Sequence, residues 1–398
     1  MNDPWKFNSA GQIVFGNGAI RRLPALIHRL GGKRVAVITD PGIEKAGLLR
    51  RIEEVLHAGN FNPQVYAQAM PEPDMASVLK CRDELSATQP DLLIAVGGGS
   101  SIDLAKIIAV LLTHGGHPSD YYGENKVPGK VMPIIAIPTT AGTGSEVSPV
   151  AIVTDDKLNM KVGISDNHLR PAVALLDAEM TLPLPPYITA CTGMDALTQA
   201  IEAYYGKDYR YVKSDGNPIY RGSNPMADLL AERAISLIAE NLPVAVHQGS
   251  NLEARSNMLL GNIYSALAFS NSGVSWIHAV AYPVAERAPR PHGEVVGLLL
   301  PYGMQYNAAV APEKFARIAE LLGEPAEGTR EARAQRGIER IFRLLEVLGM
   351  PSRLSQIGIT RDQIDEIVDN SLTIERLNRL NPRALVRDDL VRLLHQAL

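Results

Sequence analysis

Cysteine is nearly missing from this chain of 398 residues, which holds only Cys81 and Cys191. Two thiols so far apart form neither a metal-type nor a redox-type pair, and their scarcity suits a reducing cytoplasm with no disulfide. Charge of one sign is missing as well: 39 Lys and Arg stand against 43 Asp and Glu, a net charge of -4. Nothing in that balance asks for nucleic acid as a partner. Long apolar runs are also absent. DLLIAV and KIIAVLL are broken by glycines, Asp103 and Lys106 well before they reach bilayer length. The start, MNDPWKFNSAG, has neither a basic nor an apolar signal region, and the end, LLHQAL, carries no prenylation box. Neither export nor a membrane span is expected.

What is present is the composition of a soluble globular protein, 46% hydrophobic and 21% charged. The length exceeds what one hydrophobic core usually serves, so two domains are expected. The first half alternates short β-branched runs with helical stretches. RVAVITD precedes a helix near 44–58, NPQVYA precedes one near 75–87, DLLIAVGGG precedes one near 102–112, and PIIAIPTT follows. Strands recurring between helices predict a doubly wound, Rossmann-like parallel sheet, an α/β domain over 1–184. After about Pro186 the texture is helical throughout, which predicts an all-α domain over 185–398. The join lies in TLPLPPYITA, whose prolines disfavour helix until Thr189 or Thr192 can cap the next one.

VGGGSSIDLAK follows an apolar strand and opens a helix, the place where backbone amides and the helix dipole receive a phosphate. Gly97, Gly98 and Gly99 would face a pyrophosphate, and Ser100 with Asp103 resembles a capping box. The alternative is a tight turn with no ligand. A second loop, PTTAGTGSEVS, also ends a strand, so Thr139, Thr140, Thr143 and Ser145 could line the same nucleotide. Asp40, closing VITD, fits a carboxylate that accepts from an adenosine ribose, favouring NAD over NADP; otherwise it is a turn or cap residue.

In GMDALTQAIEAYYG, Asp195 and Gln199 are four residues apart and share one face of an apolar helix. Downstream, WIHAVAYPVAERAPRPHGEVVG holds His278 and His292. Two histidines and a carboxylate make the set that binds Fe(II) or catalytic Zn(II) with an open position, although sequence spacing alone does not bring them together.

These stretches, together with PTTAGTGSEVSPVAIVTD and LPLPPYITACTGMDALTQAIEAY, resemble the iron-containing (group III) alcohol dehydrogenase family over nearly the whole chain. The resemblance implies an NAD(P)-binding α/β domain, a helical domain, a metal in the cleft between them, and commonly dimers or higher homo-oligomers. It places metal ligands on Asp195, His278 and His292. The family usually has histidine where this chain has Gln199, and another histidine where it has Tyr282. Gln199 is therefore expected as a weak or water-bridged ligand, and Tyr282 as a replacement proton relay beside Asp195. Lys161 joins the cofactor-binding set.

The implied activity is metal-dependent, NAD(P)-linked hydride transfer between nicotinamide and a small alcohol or aldehyde. Arg287 and Arg290 just before His292, and the basic, tyrosine-rich segment 206–223, suggest an anionic substrate. Two rivals stand beside this: a relative of dehydroquinate synthase or glycerol dehydrogenase, and a nucleotide-binding protein whose metal chemistry has been lost.

Overall fold

The computed structural model describes residues 4–157, 160–213 and 218–398. The chain divides into two compact units, Asn8–Leu184 and Pro185–Leu398, the residues up to Phe7 counting with the second. The division falls inside TLPLPPYITA.

The first unit runs β1 (Gln12–Phe15), α1 (Leu23–Leu30), β2 (Val35–Ile38), α2 (Pro41–Lys45), α3 (Leu48–Ala58), β3 (Gln64–Tyr66), α4 (Met75–Ser86), β4 (Leu92–Gly97), α5 (Gly99–His114), β5 (Gly123–Glu124), β6 (Ile134–Pro138), β7 (Val150–Asp155), β8 (Met160–Ser165) and β9 (Val173–Leu176). Six strands form a parallel sheet in the order β1-β9-β6-β4-β2-β3. Alternate residues leave opposite faces, so each strand feeds two cores. Ala36, Ile38, Leu93, Ala95, Ile134 and Ala136 pack with α4 and α5, while Val35, Val37, Leu92, Ile94, Ile135 and Ile137 pack with α1 and α3. Burial on both faces is why these strands read as unbroken apolar runs.

Three details differ from the sequence expectation. The helix expected near 44–58 is two helices, because Gly47 takes a left-handed φ of 74° between them. The helix expected near 102–112 begins earlier, at Gly99. A second, three-stranded sheet of order β5-β8-β7 holds an antiparallel hairpin that the α/β pattern did not announce.

The second unit contains α6 (Pro186–Tyr205), α7 (Pro225–His247), α8 (Leu252–Ser272), α9 (Trp276–Arg287), α10 (His292–Asn307), α11 (Pro312–Leu321), α12 (Arg330–Val347), α13 (Ile364–Leu372), α14 (Glu375–Asn378) and α15 (Arg387–Gln396). Neither Thr189 nor Thr192 caps α6. Pro185 is its N-cap and Pro186 its first residue, where the missing N–H and preset φ do no harm, and both threonines bond back to carbonyls within the helix. Gly193 lets α6 approach closely: a Cβ there would collide with Leu242 of α7 and stand 3.0 Å from Met258 of α8. Both cysteines are buried and free. No helix among the described residues is long and apolar enough to cross a membrane.

Candidate metal centre and nucleotide loops

On α6 the positions 195, 199 and 202 follow the i, i+4, i+7 spacing of one helix face, and Asp195, Gln199 and Glu202 are all buried. Two other helices bring imidazoles to that face. His278 lies in the first turn of α9, and His292 opens α10. The Asp195 Oδ1 is 3.6 Å from the His278 Nε2 and 3.9 Å from the His292 Nε2. One ligand atom from each of the three lies within 4.8 Å of the others, a separation that a single ion can bridge.

Gly293 explains how α10 comes so near. A Cβ there would run into the Cys191 carbonyl of α6 and stand 3.2 Å from the Asp195 Cβ, so only glycine seats His292 against the aspartate.

Glu202, which the sequence reading did not single out, organises the centre. Its carboxylate is fully buried, accepts from the Ser275 hydroxyl at 2.7 Å and the Ile277 amide at 3.0 Å, and is hydrogen-bonded by the His278 Nδ1. That contact fixes the proton on Nδ1 and leaves Nε2 as a donor atom for a cation. The signal was available, since Glu202 continues the Asp195 and Gln199 face by one more turn. Burial alone would lower the His278 pKa, but the Glu202 and Asp195 carboxylates outweigh it and raise it to about 10. The carboxylates therefore favour a positive charge on Nε2, a proton where no metal is bound and a metal cation in its place when one is.

Two buried atoms test whether a metal suits these residues. The His278 Nε2 and the Gln199 Oε1 find no hydrogen-bond partner among the described residues, and burying such atoms unsatisfied is costly. A divalent ion beside two imidazoles and a carboxylate would satisfy the His278 Nε2, and the donor set suits Fe(II) or Zn(II). The Gln199 Nε2 donates to Asp195 Oδ1 at 3.1 Å. Its amide thus orients the carboxylate and keeps Oε1 as a further oxygen donor.

Tyr282 stands one turn beyond His278 on α9, its ring centroid 6.4 Å from that of His292. Its hydroxyl accepts from the Arg376 Nη2 at 3.3 Å. The arginines expected to meet an anionic substrate are placed otherwise. Arg287 is spent on Glu366 at 2.7 Å and the Pro283 carbonyl at 2.9 Å, and Arg290 is half-exposed with its Nε 3.9 Å from Glu294. In segment 206–223, Arg210 pairs with its neighbour Asp208 at 2.8 Å; residues 214–217 lie outside the described residues.

In the α/β unit the glycine loop does join the end of β4 to the start of α5, and β6 beside it delivers the second loop. A Cβ on Gly97 would stand 2.5 Å from the Ser101 Oγ, and one on Gly99 2.7 Å from Thr143, so the two loops are in van der Waals contact. Gly98, the N-cap of α5, lies next to Thr140, and Thr139 donates its amide to the Gly97 carbonyl at 3.0 Å. Lys161 pairs with Glu72 at 2.5 Å, and the Glu72 amide donates to the Ser100 hydroxyl at 3.1 Å.

One expectation here is corrected. Ser100 and Asp103 form no capping box: α5 has no side-chain cap, and Asp103 instead accepts from the Ile152 amide at 3.0 Å and from the Ser145 hydroxyl. Ser145 is correspondingly buried, held between Asp103 and the fully buried Lys106, whose ammonium also reaches the Ser148 and Val150 carbonyls at 3.0 and 2.8 Å. That buried pin ties the second loop to α5 and turns the Ser145 hydroxyl inward. Asp40 caps α2 through Oδ1, accepting from Gly42 and Ile43, while Oδ2 accepts from Ser101 at 3.0 Å.

Sequence comparison decides the family. Residues 10–178 match the profile of iron-containing alcohol dehydrogenases, and residues 189–398 match that family's C-terminal domain. The chain belongs to the iron-containing alcohol dehydrogenase family. It is 34% identical over 386 residues to a sulfoacetaldehyde reductase of Bilophila wadsworthia, covering 96% of both chains. A 1,3-propanediol oxidoreductase structure superposes with a TM-score of 0.93 at 32% identity over the full length of both chains. A sulfoacetaldehyde reductase of Bifidobacterium kashiwanohense solved with NAD+ gives 0.86 at 29% identity, covering 99% of each. The dehydrogenase is thus an NAD-linked oxidoreductase of alcohols and aldehydes, with the fold expected from its sequence.

Proposed function

We propose that Asp195, His278 and His292 hold Fe(II) or Zn(II), with Gln199 as an additional oxygen donor, and that this centre is where a small alcohol or aldehyde reacts with NAD(H). The observation that carries the proposal is the buried, partnerless His278 Nε2, aimed by Glu202 and set beside the Asp195 carboxylate. A bound ion supplies Lewis acidity for the negative charge that develops on the substrate oxygen.

The chain's own groups do the rest. A bound nicotinamide would supply or accept the hydride, and one proton must reach or leave the substrate oxygen. Tyr282 is the proton-handling group: its hydroxyl oxygen accepts from Arg376, so its own O–H points elsewhere and can serve the substrate. Glu202 holds the His278 tautomer, and the Gln199 amide holds the Asp195 carboxylate. Gly97 to Gly99, Ser100, Thr139, Thr140, Thr143, Asp40 and Lys161 cradle the nucleotide, with Asp40 favouring NAD over NADP. Asp103 and Ser145 support that cradle from behind. A homodimer or higher oligomer in the cytoplasm completes the proposal, supported by the family resemblance and the sparse cysteine.

Related proteins act on neutral alcohols and on a sulfonated aldehyde, so the substrate class here is short alcohols and aldehydes, charged ones included. The test joins elemental analysis to NADH-linked turnover. Purified enzyme should carry, or gain on addition, about one Fe(II) or Zn(II) per chain and reduce short aldehydes, and Asp195→Ala should abolish both. An Asp195→Ala variant that keeps its metal and its turnover would overturn the assignment.

A further inference from the structure

One ion pair stands over the glycine loop. Lys161 on β8 holds its Nζ 2.5 Å from the Glu72 Oε1, and the Glu72 amide donates to the hydroxyl of Ser100, in the first turn of α5, at 3.1 Å. An ammonium and a carboxylate thus lie together beside the residue that follows Gly99. That is the end of α5 where free amides and the helix dipole favour an anion. The lysine suits a diphosphate there, whereas the glutamate opposes one.

The fold does not depend on the Glu72 carboxylate. Glu72 stands between Pro71 and Pro73 and takes a left-handed φ of 56°, a conformation that a non-glycine residue before proline seldom adopts. Main-chain contacts hold it there: its own amide to Ser100, the Thr154 amide to the Pro73 carbonyl at 2.8 Å, and a bridge between Asp74 and Thr154. Asp74 then caps α4, accepting from the Ser77 amide at 2.7 Å. The Glu72 side chain takes part in none of these and is 53% exposed, while that of Lys161 is 24% exposed. Water can take over the carboxylate at little cost. The more withdrawn ammonium gains more from an anionic partner.

We propose that Glu72 and the diphosphate of NAD(H) compete for Lys161, so that Glu72 sets how loosely the cofactor is held. The proposal rests on the reading of Gly97 to Gly99 and Lys161 as part of the nucleotide cradle. As the cofactor binds, the ammonium turns from the carboxylate to a phosphate oxygen, and Glu72 remains nearby as a hydrated negative charge. Both the broken pair and the nearness of like charge subtract from cofactor affinity. The main chain around Glu72 stays in place during this exchange, because its contacts do not involve the carboxylate. The nucleotide keeps the glycine loop and leaves more readily than the loop and the lysine alone would allow.

The test is calorimetric titration of the wild type, Glu72→Gln, Lys161→Met and the double variant with ADP and with NADH. In Glu72→Gln both should bind roughly 3- to 10-fold tighter, the effect of removing a partly exposed like charge and its claim on the lysine. Added salt should shrink that gain. In Lys161→Met both should bind about tenfold weaker, the loss of a charge-assisted hydrogen bond. Adding Glu72→Gln to Lys161→Met should gain less than it does in the wild type, because no ammonium is left to compete for. Unchanged or weaker binding in Glu72→Gln overturns the proposal, and weaker binding would make Glu72 a ligand of the nucleotide instead. Full affinity in Lys161→Met, or a gain from Glu72→Gln that is undiminished in its background, also overturns it, since the lysine would then not be shared. If the wild type binds neither ADP nor NADH, the nucleotide reading itself fails.

Discussion

Replacing Glu202 by Gln removes one charge from the fully buried carboxylate behind the His278 ring and leaves its shape almost unchanged. In the native protein all of its partners among the described residues are donors: the Ser275 and Tyr205 hydroxyls, the Ile277 amide and the His278 Nδ1–H. A carboxylate accepts from all of them; an amide cannot. If the Gln oxygen faces Ser275 and Ile277, its NH2 meets the His278 Nδ1–H. If it faces His278, its NH2 meets the Ile277 N–H. One donor stays opposed by another in either case, at about 1–3 kcal/mol. The imidazole can relieve the first conflict by moving its proton to Nε2, but that occupies the atom needed for the metal. We expect the affinity for Fe(II) or Zn(II) to weaken roughly 10- to 100-fold, the usual effect of losing a carboxylate behind a ligating histidine. Competition with a chromophoric chelator, read alongside a circular dichroism melt of the metal-free protein, separates lost metal from lost fold. Native metal affinity in a variant with a clearly lowered melting temperature would refute the argument, because Glu202 would then support the helices without tuning His278.

Gly293→Ala should lower metal content at least about tenfold with the fold retained, since its Cβ meets the Cys191 carbonyl and must push His292 away from Asp195; a fully loaded, active variant would show that α10 can shift without disturbing the site. Gln199→His, which replaces an amide with imidazole, should tighten metal binding about tenfold or more, and unchanged metal content and turnover would place Gln199 outside the ligand set. Lys106→Met strands the buried Asp103 and the Ser148 and Val150 carbonyls, so the melting temperature should fall by about 10 °C, from a loss on the order of 3–5 kcal/mol; a fall of under about 2 °C would deny the pin its role. Burial lowers the Lys106 pKa to about 8, with Asp103 only partly offsetting it, against 10.5 when unfolded. Between those values the unfolded chain binds more protons. This lysine's contribution to stability therefore rises with pH from 8 to 10.5, and a stability difference between wild type and Lys106→Met that stays flat across that window would contradict it.

Much of the fold was legible because its strands are buried on both faces and its helices are long. The strand cores VAVI, LLIAV and IIAI within RVAVITD, DLLIAVGGG and PIIAIPTT are apolar throughout for one cause, the helices packed on each side of the sheet. The edge strand β1 was not legible. It is only four residues long, and its apolar Ile13 and Phe15 are open to solvent, so its short apolar run carries neither the length nor the burial pattern of the inner strands. The β7–β8 hairpin was missed because it lies outside the repeating strand and helix pattern. The start of α6 was misplaced by expecting a hydroxyl cap where a proline at the first helical position needs none.

The site divides in the same way, between what one helix displays and what only tertiary contact supplies. Asp195 and Gln199 could be paired from the sequence because four residues return a helix to the same face, and one more step along that face would have reached Glu202. The histidines could be suspected but not joined to them, since 83 and 97 residues separate His278 and His292 from Asp195, the differences 278 − 195 and 292 − 195 in the chain numbering. What joins them is a glycine that lets α10 touch α6 and a carboxylate that aims the His278 ring. Gln199 gains its meaning from the same contacts. Its amide nitrogen holds the very Asp195 oxygen that lies nearest both imidazoles. On the proposed reading, Gln199 therefore does more than fill a ligand position. Its amide fixes the aspartate and offers an oxygen that is a weaker donor than an imidazole nitrogen would be, so the proposed centre would suit a divalent ion but hold it less tightly than one with a histidine at that position.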